Sequence, residues 1–152
     1  MTALWVALVS MAPVVELRGG IPLGIGLGLS PLEAVFWATL GNLLVVPLLL
    51  WLLPRVVEEL SRWPRFRRAW EALERRVRLK GEEQVQRLGA LGLFLFVAVP
   101  LPGTGAWSGS VLAVVLGVRK RYALPAIALG VVAAGVLVGL ASAGVVAGLK
   151  GL

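Results

Sequence analysis

The chain contains no cysteine and no histidine. Disulfide frameworks, thiol catalysis and the commonest zinc ligands are therefore excluded, and a metalloenzyme is not expected. Charge is scarce as well: 15% of the residues are charged against 59% that are hydrophobic, and the mean hydropathy is +0.90. A soluble domain of 152 residues this apolar would need a core larger than its volume allows, whereas lipid accepts apolar surface on every side of a helix. The composition implies an all-α integral membrane protein. The N-terminal run MTALWVALVSMAPVV lacks both a basic leading segment and a small-x-small cleavage site, so it is expected to be retained structure rather than a signal peptide.

What charge there is lies in one block. Ten of the fifteen Lys and Arg fall between Arg55 and Arg87, with six of the eight Glu. This block is the aqueous part of the chain, and the positive-inside rule sets it on the cytoplasmic side of the cell (inner) membrane. The formal net charge of +7 does not imply nucleic-acid binding, because the basic run has no groove-reading motif and is flanked by membrane segments.

Four apolar segments surround the block. Residues 31–53 and 122–149 are each long enough to span a hydrocarbon core of about 30 Å at roughly 1.5 Å per residue. Residues 1–30 and 89–118 are each interrupted, the first at PVVELRGGIP, where Pro13 and Pro22 bracket Glu16, Arg18, Gly19 and Gly20, the second at PLPGTG, from Pro100 to Gly105. Proline removes a helix donor and glycine loosens the backbone, so neither region is expected to run as one helix. The remaining arms are too short to cross and predict re-entrant hairpins, whose tips must be shielded by protein or water. With residues 54–88 cytoplasmic, the first hairpin enters from outside. The second enters from the cytoplasm and returns at the basic cluster Arg119, Lys120 and Arg121. Hairpin and spanning helix recur in opposite orientations, which predicts an inverted repeat within a single multi-pass membrane domain.

The linker 54–88 predicts an amphipathic helix. Trp63, Phe66, Trp70, Leu73 and Val77 fall on one face, with arginines around the rest, Ser61 as cap, Pro64 in the first turn, and Glu71 with Arg75 and Glu74 with Arg78 as i,i+4 pairs. Such a helix suits either anionic lipid or the underside of its own membrane domain.

Glu16 and Arg18 are the sharpest chemical signal. A charge near the bilayer centre costs at least about 2.5–3.5 kcal/mol, so by default it is paired, faces a cavity and serves a function. Three readings stay open: the two pair with each other or with freed backbone groups and hold the turn, Glu16 is solvated near the outer surface, or the pair binds cargo. In the last, Glu16 takes a proton or cation in a low-dielectric cavity, or Arg18 holds an anion. The uncharged second tip offers Pro100, Pro102, Gly103, Thr104 and Gly105, with Ser108 and Ser110 beyond, as groups that can bind an ion or phosphate or simply pack. Thr104 and Ser108 are the only conceivable nucleophiles and lack a base, so no enzyme is expected, and no cofactor is implied. Asn42, the only asparagine, is expected to hydrogen-bond between helices or to touch substrate. Gly135 with Gly139 and Gly144 with Gly148 flatten one side of the last helix, and Trp5, Trp51 and Trp107 are expected near the membrane interfaces.

ELRGGIP at 16–22 together with PLPGTGAWSG at 100–109 resembles the small multidrug export protein family of bacterial and archaeal membrane proteins. That family is in turn similar to the DedA superfamily, whose inverted pair of re-entrant hairpins is linked to flipping of phospholipid carriers such as undecaprenyl phosphate. By position, the resemblance implies a site at Glu16, Arg18, Pro100, Pro102, Gly103, Thr104 and Gly105. It departs from the DedA pattern in one respect, since no basic residue follows the second motif until Arg119. The small multidrug resistance transporters also use one buried Glu, but on four full-length helices joined by short loops, which this chain does not have. The expectation is a small transporter or lipid-carrier flippase, possible proton coupling included, with a small-molecule exporter or a non-transporting scaffold as alternatives. Its partners would be the bilayer, an anionic lipid or small molecule, and a second copy of itself, because two spanning helices can barely enclose a path.

Overall fold

A computed structural model describes residues 1–151. Its elements are all helical: α1 (Thr2–Ser10), α2 (Glu16–Gly26), α3 (Pro31–Leu60), α4 (Pro64–Leu88), α5 (Ala90–Ala98), α6 (Ala106–Val115) and α7 (Lys120–Lys150). Two short helices and one long helix occur on each side of α4.

The start of α3 is set by local chemistry. Ser30 Oγ accepts from the Glu33 N–H at 3.3 Å, and the Glu33 carboxylate accepts from the Ser30 N–H at 2.9 Å, with Pro31 in the first turn. This is a capping box, and it satisfies donors that the first turn would otherwise leave free. The helix then continues through Pro47 and Pro54 to Leu60, beyond the boundary expected at residue 53. Each proline removes one intrahelical bond without ending the helix. With 30 and 31 residues, α3 and α7 are about 45 Å long, and both are apolar enough to cross a membrane. The 9 to 11 residues of α1, α2, α5 and α6 reach only about 13–17 Å each.

Small residues bring the helices together. Gly135 abuts Thr39 and Gly139 abuts Val35, so α3 and α7 run antiparallel. Gly41 of α3 lies against the Ala7 carbonyl of α1, and Gly130 of α7 lies against Val97 and the Phe94 carbonyl of α5. No side chain fits at either contact. Gly144 and Gly148, by contrast, face open space. Helix α2 packs on both α3 and α7, and so does α6. Between them lies one apolar core containing Leu17, Ile21, Val46, Phe96, Leu112 and Ile127. Trp5, Phe36, Leu44, Trp51, Leu129 and Leu140 point outward, a surface that lipid rather than water accommodates.

The linker forms a helix as predicted, but with different ends. Ser61 closes α3, and Trp63 occupies the position before Pro64 with no side-chain cap. Val77, Gly81 and Val85 pack on α5 and α6, with Gly81 against Phe96 and Leu112. Of the apolar face, Val77 is buried in this packing, whereas Trp63 and Leu73 are exposed. Glu74 pairs with Arg78 at 3.3 Å, whereas Glu71 approaches Arg67 rather than Arg75.

Candidate functional site

The two interruptions meet. In the first, the chain turns at residues 11–15, and α2 begins at Glu16, whose φ of +48° is the one left-handed backbone angle at a non-glycine among the described residues. Such a conformation costs about 1–3 kcal/mol and persists only where its surroundings hold it. Arg18, Gly19, Gly20 and Pro22 lie inside α2 and not on a non-helical tip as the sequence suggested. Gly20 allows α2 to close on Ser10 and Ala38, and Pro22 leaves the Arg18 carbonyl without its helical donor. In the second interruption, α5 stops at Val99, extended as residues before proline are, and α6 restarts after Gly105.

A break in a helix leaves carbonyls without donors on one side and N–H groups without acceptors on the other. Glu16 and Arg18 supply both. The Arg18 guanidinium donates to the Thr104 carbonyl at 2.6 Å, and more weakly to the Val99 carbonyl at 3.3 Å and the Val97 carbonyl at 3.4 Å, at the C-terminal end of α5. Its other arm donates to Glu16 Oε2 at 2.7 Å. The remaining oxygen, Glu16 Oε1, accepts from the Trp107 N–H at 3.1 Å, in the first turn of α6. A cation therefore sits at a helix C-terminus and an anion at a helix N-terminus, the favourable arrangement for both dipoles. Gly105, in the cap position of α6, has no side chain with which to cap; a Cβ there would collide with the Glu16 carboxylate, which caps the helix in its place. Glu16 is 7% exposed, so its carboxylate is not simply solvated. The Arg18 side chain keeps 20% exposure, and its Nε is buried without a partner.

Three further contacts complete the meeting point. Thr104 Oγ1 lies 2.8 Å from the Val99 carbonyl and 2.9 Å from that of Leu101, tying the turn to the end of α5. The Trp107 indole donates to the Met11 carbonyl at 2.9 Å and fastens the second break to the first. Lys80, on the linker helix, donates to the Pro102 carbonyl at 3.3 Å. The second tip therefore does have a basic residue beside it, one that no motif announces, because its only visible mark is being the single lysine among the arginines of the block.

The other candidates stand apart. Ser110 donates to the Ala106 carbonyl within its own helix, and among the described residues the Ser108 side chain makes no hydrogen bond. Asn42 is buried in α3 at 1% exposure, yet its Oδ1 has no hydrogen-bond partner, so the expected bond between helices is not made through that oxygen. Pro100, Pro102 and Gly103 are exposed on the turn.

A helical protein with two long apolar helices, an apolar exterior and an ion pair sealed between two helix breaks is a membrane protein. Residues 16–137 match the family described as "Putative small multi-drug export protein", and the chain belongs to that family. Neither the curated proteins nor the solved structures contain a match to it.

Proposed function

We propose that this chain is a small membrane transporter that moves an anionic cargo, a lipid carrier or a small molecule, past the point where its two broken segments meet. One observation carries the reading. The charged pair of α2 reaches across to both ends of the α5–α6 break, so any change in its pairing alters contacts between the halves. Because Glu16 already accepts from Arg18 and Trp107, a cationic drug would have to displace a guanidinium held by several carbonyls. An anion needs less: if Glu16 takes up a proton, the Arg18 arm that bonds it and the Trp107 N–H lose their internal anion and can turn to an external one, while the other arm stays on its carbonyls. Proton coupling follows from that exchange.

The proposed architecture is an inverted repeat of re-entrant hairpin and spanning helix, supported by the recurrence of short, short and long helices about α4 and by the reciprocal packing of α2 and α6 on both long helices. We assign α4 to the cytoplasmic face of the cell (inner) membrane from its arginines, and a homodimer or larger assembly to the functional unit. In proteoliposomes under a pH gradient, transbilayer movement of a fluorescent anionic phospholipid is expected to fall at least about tenfold in Glu16→Gln and in Arg18→Gln, the loss of one charge-assisted interaction in the transition state. Wild-type rates in both variants would rule the mechanism out.

A second reading, a lipid- or partner-recruiting scaffold, is favoured by the outward face of α4, along which Arg65, Arg68, Arg75 and Arg76 are exposed, as is Leu79 at 89%. It requires that Arg-to-Gln changes across 65–78 abolish function while changes at Glu16 and Arg18 do not.

A further inference from the structure

We propose that Lys80 and Arg18 together form a phosphate-binding site over the turn from Pro102 to Gly105, so that the linker helix contributes a cation to the site itself. The inference rests on the transport reading above and names the chemistry of its cargo.

The turn is gripped by two cations from different helices. Lys80 donates to the Pro102 carbonyl at 3.3 Å, and Arg18 to the Thr104 carbonyl at 2.6 Å, two residues further on. Between them lies Gly103, with a φ of +77°, where a Cβ would press on the Lys80 ammonium. The one carboxylate bonded to either cation is Glu16, which is committed to Arg18 and to the Trp107 N–H. Lys80 has no carboxylate partner among the described residues, and no further acid pairs with Arg18 or Glu16. The turn is left with one positive charge in excess.

Its backbone points the same way. Among the described residues, neither the Gly103 nor the Gly105 N–H has a protein acceptor. Arg18 Nε is a further donor without a partner. Free N–H groups beside a helix N-terminus, a guanidinium and an ammonium together match an anion with several acceptor oxygens, which a phosphate is and a halide is not. Lys80 is exposed, so it can release Pro102 and turn to such a group without opening the core. The same chemistry would recognise a lipid phosphate head group or free phosphate.

The test uses the full chain in detergent, titrated calorimetrically with dihexanoyl phosphatidic acid, with inorganic phosphate and with zwitterionic dihexanoyl phosphatidylcholine. Wild type is expected to bind phosphatidic acid in preference to phosphatidylcholine. Lys80→Gln should weaken that binding about tenfold, the worth of one charge-assisted hydrogen bond, while Lys80→Arg retains it. Equal, Lys80-dependent binding of inorganic phosphate would assign the site to the free anion, and binding of phosphatidic acid alone would assign it to a head group; both support the site. Wild-type affinity in Lys80→Gln, or no binding of either phosphate by wild type, would overturn it. Neither of those outcomes touches the requirement of flux for Glu16 and Arg18, so the phosphate site and the transport reading fail separately.

Discussion

Glu16 and Arg18 are held by backbone more than by each other. Their partners are carbonyls and an N–H group 79 to 91 residues away along the chain, freed by a helix break. This predicts an asymmetric response to mutation. Arg18→Ala leaves a buried carboxylate without its counter-charge and should destabilise the protein in detergent by about 3–5 kcal/mol. The double variant Glu16→Gln/Arg18→Gln should lose clearly less than the sum of the two single Gln changes, since residues in one network do not act additively. Additive losses in thermal or denaturant unfolding would mean that the two side chains do not act together. Gly105→Ala tests the same contact from the other side: its methyl group has only the space of the Glu16 carboxylate to occupy, and a loss of about 1–3 kcal/mol is expected. The pair itself was legible in the sequence, because two charges between Pro13 and Pro22 in an apolar run are too costly to stand there unpaired. Its partners were not, because every residue has a carbonyl and only the fold decides which ones are left free. Lys80 was hidden for a related reason, lying in a block where basic residues are the rule and bonded to a group that any residue possesses.

The long helices were legible as elements, but their ends were not. The apolar runs of α3 and α7 announce spans, and Ser30 with Glu33 announces a start. Pro54 reads as an end, yet α3 passes through it, since one missing N–H is a small loss inside a helix of 30 residues. In the same way the motif at 16–22 reads as a tip from its glycines and prolines, although α2 takes up all of it and the turn lies just before. Glycine spacing alone also cannot tell a packed face from a free one. Gly135 touches Thr39, whereas Gly148 touches nothing. Gly135→Val is therefore expected to destabilise the α3–α7 contact by about 1–3 kcal/mol, and Gly148→Val to stay within about 0.5 kcal/mol of wild type. Melting of the two variants in the same detergent measures both. Equal melting temperatures would show that Gly135 is not an interhelical contact.

At the scale of the molecule, two broken segments join: a turn divides each into two short helices, and the charges of one close the open backbone of the other. The Trp107 indole on the Met11 carbonyl and Arg18 on the Thr104 carbonyl tie the turns together whatever their orientation. In the proposed inverted repeat the two turns approach from opposite faces of the membrane. The absence of native cysteine allows it to be tested directly. Val14, 93% exposed at the first turn, and Leu101, 56% exposed at the second, can each be replaced singly by cysteine with little consequence for packing. Labelling with a membrane-impermeant maleimide, in right-side-out and in inverted vesicles, is predicted to reach Val14→Cys from outside and Leu101→Cys from the cytoplasmic side. Labelling of both positions from the same side would contradict the inverted arrangement.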